Sequence, residues 1–177
     1  MGMNILFITA TRVGDAVLST GLLSHVIKTY PDAQITIACG PAAAGIFQAM
    51  PCLKRLIILD KMILSLHWVR MWALCLPKLW YLVVDLRNSP LSYCLASNCQ
   101  KHLGRFGVER HRVVELASVF GLQNSPPSPK MWPSSNHRER AKKMIPNTGP
   151  VLAIGPTANW TAKTWAPEKF GQLVERI

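Results

Sequence analysis

Three short apolar runs, each continuous rather than alternating with polar residues, do most to limit what this chain can fold into. They are Asn4–Thr9 (NILFIT), Gln34–Cys39 (QITIAC) and Tyr81–Asp85 (YLVVD). Runs of this length, rich in β-formers, suit strands buried on both faces. Helical patterns lie between them. Asp15–Tyr30 carries one stripe of Val17, Leu18, Leu22, Val26 and Ile27, and Pro31 and Asp32 stop it. A short helix is expected at Ala42–Ala49, a strand at Arg55–Leu59, and helices at Met62–Leu76 and Arg110–Phe120.

Strands alternating with helices predict an α/β domain, a Rossmann-like, doubly wound parallel sheet covered on both faces. In such sheets ligands bind at the carboxyl ends of the strands. Asn124–Pro133 (NSPPSPKMWP) has four prolines and reads as a linker or last peripheral excursion. Beyond it come a basic helix at Ser135–Met144, a buried strand at Val151–Gly155 (VLAIG) and an amphipathic helix at Pro167–Ile177. One strand and one helix cannot bury their own apolar faces. The expected division is therefore residues 1–133 as one Rossmann-like domain and 134–177 as a linker and the first βα unit of a second, incomplete one. The rest of that second domain is expected to be missing or to sit on another chain.

Apolar residues make up 49% of the 177 residues and charged residues only 16%, which excludes a disordered chain. The net charge of +11 is uneven. Residues 1–60 net +1, whereas residues 61–143 hold thirteen basic and four acidic side chains, a net of +9. A basic middle attracts nucleic acid, an anionic membrane surface or a phosphorylated substrate. The five cysteines, Cys39, Cys52, Cys75, Cys94 and Cys99, are odd in number and lack C-x-x-C spacing, so neither a disulfide framework nor a zinc site is expected. Reduced thiols in a cytoplasmic protein fit better. No signal peptide is visible, and His67, Arg70, Pro77 and Lys78 argue against a membrane span at Met62–Val84.

Three loops could carry chemistry. The first, Thr9–Asp15 (TATRVGD), has one glycine, too few for a dinucleotide fingerprint, and lacks the G-K-[ST] of a phosphate loop. It offers Asp15 at a strand-to-helix junction. The plainer role for Asp15 is to cap the helix, and capping is compatible with facing a ligand. The second, Gly155–Pro167 (GPTANWTAKTWAP), offers Thr157, Asn159, Thr161 and Lys163 to an anion at a helix N-terminus, or is an ordinary polar loop. The third, Val84–Ser89, carries Asp85 and Arg87, which could equally satisfy the loop backbone or pair with each other. The run Arg138–Lys143 (RERAKK) reads most simply as a solvated helix face. The Trp68–Trp72 helix reads as packing, or as a docking face for an acidic lipid-bearing surface. The five histidines show no metal-ligand or triad spacing.

Taken in order, several segments resemble the ADP-heptose:lipopolysaccharide heptosyltransferases, glycosyltransferase family nine. They are Met3–Leu23 (MNILFITATRVGDAVLSTGLL), Tyr30–Leu59, Tyr81–Ser92 (YLVVDLRNSPLS) and Val151–Phe170 (VLAIGPTANWTAKTWAPEKF). The resemblance implies the N-terminal half of a GT-B fold, two Rossmann-like domains around a cleft, cut off early in the second. It implies an inverting transferase that moves a sugar, heptose above others, from a nucleoside-diphosphate donor such as ADP-heptose to the lipopolysaccharide core and lipid A. Asp15 then falls on the proposed catalytic base. Lys163 falls on the lysine that contacts donor phosphates, and Thr157, Asn159 and Thr161 fall in the donor loop. Those three depart from the T-T-x-D-x-K variant of some members. Arg12, Gly14, Asp85, Arg87 and Ser89 become acceptor-side candidates. No cofactor and no metal is implied, because lysine and a helix dipole can carry the leaving group's charge. Nucleic acid is not an implied partner; an anionic membrane surface is, which makes the expected protein cytoplasmic and peripheral on the inner face of the inner membrane. The competing expectations are an inactive remnant or split subunit of such an enzyme, and a basic nucleic-acid binder.

Overall fold

The structure, a computed structural model, describes residues 2–60, 63–104, 110–145, 149–158 and 160–176, with the side chains of residues 91 and 161 also outside the description. The chain divides into two compact units, Met1–Ser135 and Asn136–Ile177.

The first unit is a five-stranded parallel sheet of β1 (Asn4–Ile8), β2 (Gln34–Cys39), β3 (Leu53–Ile58), β4 (Trp80–Asp85) and β5 (Ser97–His102), in the order β3-β2-β1-β4-β5. Its helices are α1 (Val13–Thr29), the short α2 (Ala44–Phe47), α3 (Leu66–Cys75) and α4 (Arg112–Ser118). The expected Rossmann-like class is what forms. The apolar runs are strands because the sheet is covered on both faces. Ile5, Phe7, Ile35, Ile37, Leu82 and Val84 pack with Leu22, Leu23 and Val26 of α1 and Leu116 of α4. The alternate residues Leu6, Ile8, Ala38 and Val83 pack with Met71 and Cys75 of α3. The two-residue period of a strand sends neighbours to opposite faces, so a run buried on both must be apolar throughout.

β5 is absent from the sequence-based expectation. Its SNCQKH run has no apolar residue but Cys99, and it lies at the end of the strand order, where one edge stays unpaired and no residue of the strand is fully buried. The Trp68–Trp72 helix takes the packing role of its two expected ones: α3 turns Trp68 and Trp72 toward the core, where both are half-buried. Residues 124–133 form a strap without helix or strand. A Cβ on Gly21 would collide with the Pro127 carbonyl oxygen, and Lys130 N donates to Thr20 Oγ1 at 2.9 Å, so the strap lies directly on α1.

The second unit contains most of α5 (Ser135–Met144), a 3-10 turn at Thr161–Lys163 and α6 (Pro167–Val174). The strand expected at Val151–Gly155 does not form; Val151, Leu152 and Ile154 are exposed, in chain without helix or strand. A strand exists only by pairing, and among the described residues none lies beside it.

Candidate functional site

In the order β3-β2-β1-β4-β5 the chain reverses direction of growth between β1 and β4, and the loops leaving these two strands part on opposite sides. This is the topological switch point where open α/β sheets bind ligands. A cleft of about 500 Å³ opens there. The β1–α1 loop contributes Thr11 and Arg12, α1 contributes Asp15 and Ser19, the loop after β4 contributes Arg87 and Asn88, and α4 contributes Arg112.

Helix α1 begins at Val13, with Arg12 at the N-cap and no side-chain cap bond. Asp15 therefore sits in the first turn rather than capping it, which corrects the plainer expectation above. The half-buried carboxylate has no hydrogen bond or ion pair among the described residues. Its position is nevertheless fixed. Ser19 Oγ, one turn further along, bonds Thr9 Oγ1 at the end of β1 at 2.7 Å and Ala16 O at 2.7 Å. Gly40 lies beneath the loop: a Cβ there would sit 2.6 Å from Thr11 Cα, so only glycine allows β2 and the Thr11 backbone to approach this closely.

Asp85 has the opposite environment. It is fully buried, and its carboxylate accepts from Arg87 N, Ser89 N and Ser92 Oγ, each at 2.7 Å. These bonds fold the chain after β4 into a tight loop, with Asn88 in the left-handed region at φ 52°. The side chain that reaches the cleft is Arg87. Its Nη1 donates to Thr11 Oγ1 at 3.2 Å, joining the two loops across the switch point, and its guanidinium lies 5.4 Å from the centroid of Trp68. Arg112 pairs with Glu115 at 2.9 Å. Arg12 is exposed, and its guanidinium makes no bond among the described residues. Arg12, Arg87 and Arg112, the last already paired with Glu115, line the cleft with Asp15, so it offers cationic groups to an anion beside a carboxylate that can accept a proton.

The structure thus gathers Arg12, Asp15 and Arg87 in the cleft. Asp85 and Ser89 lie behind the wall, and the buried Ser89 hydroxyl has no partner among the described residues. Gly14 lies beside the cleft in a shallow depression with Val17 and Leu18. Arg112 and Asn88 were not foreseen: Arg112 comes from a helix distant in sequence, and nothing local marks it. In the second unit, Thr157 and Lys163 are exposed, with Lys163 Nζ 5.9 Å from the centroid of Trp160. Asn159 and the Thr161 side chain lie outside the described residues. Among the described residues, no group of three His, Cys, Asp or Glu side chains could hold a metal ion, and no helix is long and apolar enough to cross a membrane.

No protein-family model and no curated protein matches the sequence. Solved structures do match. A glycosyltransferase of family nine from Veillonella parvula superposes with a TM-score of 0.71 at 19% identity, over 98% of this chain and 59% of that one. This is the fold of the family-nine glycosyltransferases. E. coli heptosyltransferase WaaC with ADP matches at TM-score 0.65 and 12% identity, over 98% of this chain and 64% of that one. E. coli ADP-heptose lipopolysaccharide heptosyltransferase II matches at TM-score 0.64 and 18% identity, over 98% and 62%. The chain spans about three fifths of the length of the structures it matches.

Proposed function

We propose that the protein works in an inverting glycosyltransferase that moves heptose from ADP-heptose to the inner core of lipopolysaccharide. The observation that carries this reading is the unpartnered Asp15 carboxylate in an arginine-lined cleft at the sheet's switch point. The fold shared with family-nine enzymes supports it, as do the ADP and the ADP-2-deoxy-2-fluoro-heptose carried by the E. coli WaaC structures.

In this reading residues 1–133 are the acceptor-side domain, and 134–177 begin the donor-binding one. An acceptor hydroxyl oxygen bonds to the anomeric carbon from the face opposite the diphosphate, and the bond from that carbon to the diphosphate oxygen breaks. Asp15 takes the hydroxyl proton as the new bond forms. Lys163, with Thr157, Asn159 and Thr161, meets the donor phosphates and the charge that grows on the leaving ADP. Arg12, Arg87 and Arg112 bind phosphates or acidic sugars of the acceptor, Arg87 held in aim by Thr11 and Trp68. Gly14 borders the acceptor side of the first turn, in open space where a Cβ would meet nothing within 4 Å. The setting is the cytoplasmic face of the inner membrane.

The test is ADP release in the presence of ADP-heptose and heptose-free lipopolysaccharide. Asp15→Asn should lower turnover roughly 10²–10⁴-fold while ADP binding stays unchanged. Unaltered turnover removes Asp15 from the mechanism.

A further inference from the structure

Helix α3 is apolar on two sides. Met71 and Cys75 are buried against the sheet, with Trp68, Trp72 and Leu74 packed beside them. The outward positions 66, 69, 73 and 76 follow the three- and four-residue spacing of one helix face and hold Leu66, Val69, Ala73 and Leu76, all exposed. A second apolar stripe on a helix is ordinarily covered as the first is, and among the described residues nothing covers this one.

The turn leading into α3 extends the stripe. Leu64 and Ser65 adopt left-handed backbone, at φ 52° and 60°, a conformation that side chains with a Cβ rarely take. Ile63 and Leu64 consequently stand out into solvent, 83% and 90% exposed, the most exposed large apolar side chains among those described. Isolated exposed apolar residues need no explanation; an aligned set at a strained knuckle does.

The charge around the stripe selects its occupant. From position 60 to 84 the sequence has three basic residues, Lys61, Arg70 and Lys78, against one acidic residue, the exposed Asp60. Arg70 is exposed on the same outward face as Leu66 and Ala73. An aliphatic ridge whose flanking charges are net positive fits the headgroup boundary of an anionic bilayer, where apolar side chains enter the acyl edge and Arg and Lys meet phosphates.

We infer that Ile63, Leu64 and the outward face of α3, with Arg70, form a docking surface for an anionic phospholipid bilayer. The inference does not depend on transferase activity. It differs from the sequence-based expectation in its residues, because the tryptophans face inward and the aliphatic side chains face out. The inner side of α3 reaches the cleft through the Trp68–Arg87 contact, so a docked α3 would hold the cleft rim near the membrane.

The experiment is co-sedimentation of the full chain with sugar-free vesicles of equimolar phosphatidylglycerol and phosphatidylcholine, and with phosphatidylcholine alone. Binding is expected to the anionic vesicles only, and to weaken as salt rises. The double substitution Ile63→Ser, Leu64→Ser should lower binding at least about tenfold. Arg70→Glu should lower it about fivefold or more and flatten the salt dependence. Met131→Ser, an exposed apolar side chain in the strap, should leave binding unchanged. Circular dichroism and melting keep loss of binding distinct from loss of fold. Three results would overturn the inference: no binding by the unaltered protein, equal binding by the double variant, or a lipid-free dimer that the double variant abolishes. Because the vesicles carry no acceptor sugar, failure here leaves the transferase reading standing, and failure of transfer leaves this one standing.

Discussion

Asp15, in the first turn after β1, and Asp85, the last residue of β4, lie at the carboxyl ends of adjacent parallel strands, and the two carboxylates have opposite work. Asp85 is fully buried and accepts three hydrogen bonds from its own loop. Asp15 is half-buried, lines the cleft and is bonded to nothing among the described residues. A carboxylate saturated by local donors is spent on structure. One that the fold positions but leaves unsatisfied is available to a ligand. Arg87 shows how the two corners cooperate: the turn held by Asp85 aims its guanidinium at Thr11 of the other loop.

The sharpest way to break this contrast is to exchange the readouts. Asp15→Asn, the variant that should lower turnover most, should change stability by less than about 1 kcal/mol, the worth of a first-turn carboxylate at a helix dipole. Asp85→Ala leaves Arg87 N, Ser89 N and Ser92 Oγ without their acceptor. It should cost about 3 kcal/mol or more, read as a lowered midpoint in urea. If Asp15→Asn unfolds the protein and Asp85→Ala does not, the assignment of roles is reversed.

A smaller effect tests whether Asp15 is positioned from below. Gly40→Ala puts a Cβ 2.6 Å from Thr11 Cα, which is backbone and cannot swing aside. The loop must shift, at a cost of about 1–3 kcal/mol. The Thr11–Arg87 bond should be lost, so turnover should fall more than stability alone accounts for. Activity equal to that of the parent would mean that the loop's geometry is not used.

Much of this was legible in the sequence, and the gaps have physical causes. NILFIT, QITIAC and YLVVD announce the parallel sheet because burial on both faces leaves no room for polar residues. SNCQKH does not announce β5, because an edge strand is held by backbone bonds to β4, from Trp80↔Ser97 to Asp85↔His102, and these leave no mark on side-chain chemistry. The loop Thr9–Asp15 could be located from its place after β1. Whether Asp15 caps the helix depends on the residue at which the helix starts, and that changes by a residue or two with no change in pattern. Arg112 was illegible, because only the folded sheet brings α4 to the cleft.

The last comparison uses thiols as reporters of the two corners. Cys39 ends β2 beside Gly40 and is buried, and desolvation pushes its thiol up to about 11; Cys94 ends the 3-10 turn after the Asp85-held loop and is exposed. Alkylation near pH 8 should modify Cys94 quickly and Cys39 only through opening of the fold. Gly40→Ala should speed Cys39 labelling severalfold and leave Cys94 unchanged, since the displacement is confined to the β2–Thr11 contact. The raised thiol also carries a pH signature. Between about 9, its ordinary value, and about 11 the folded chain keeps a proton that the unfolded chain gives up, so Cys39 makes stability fall as pH rises through that window. Cys75, also pushed up to about 11 by burial though Lys78 and Arg55 pull it back, adds to the same loss. Melting temperature should therefore decline above about pH 9, and Cys39→Ala should flatten part of that decline; a slope unchanged by the substitution would mean that the Cys39 site is open to water, and the β2 corner looser than its packing implies.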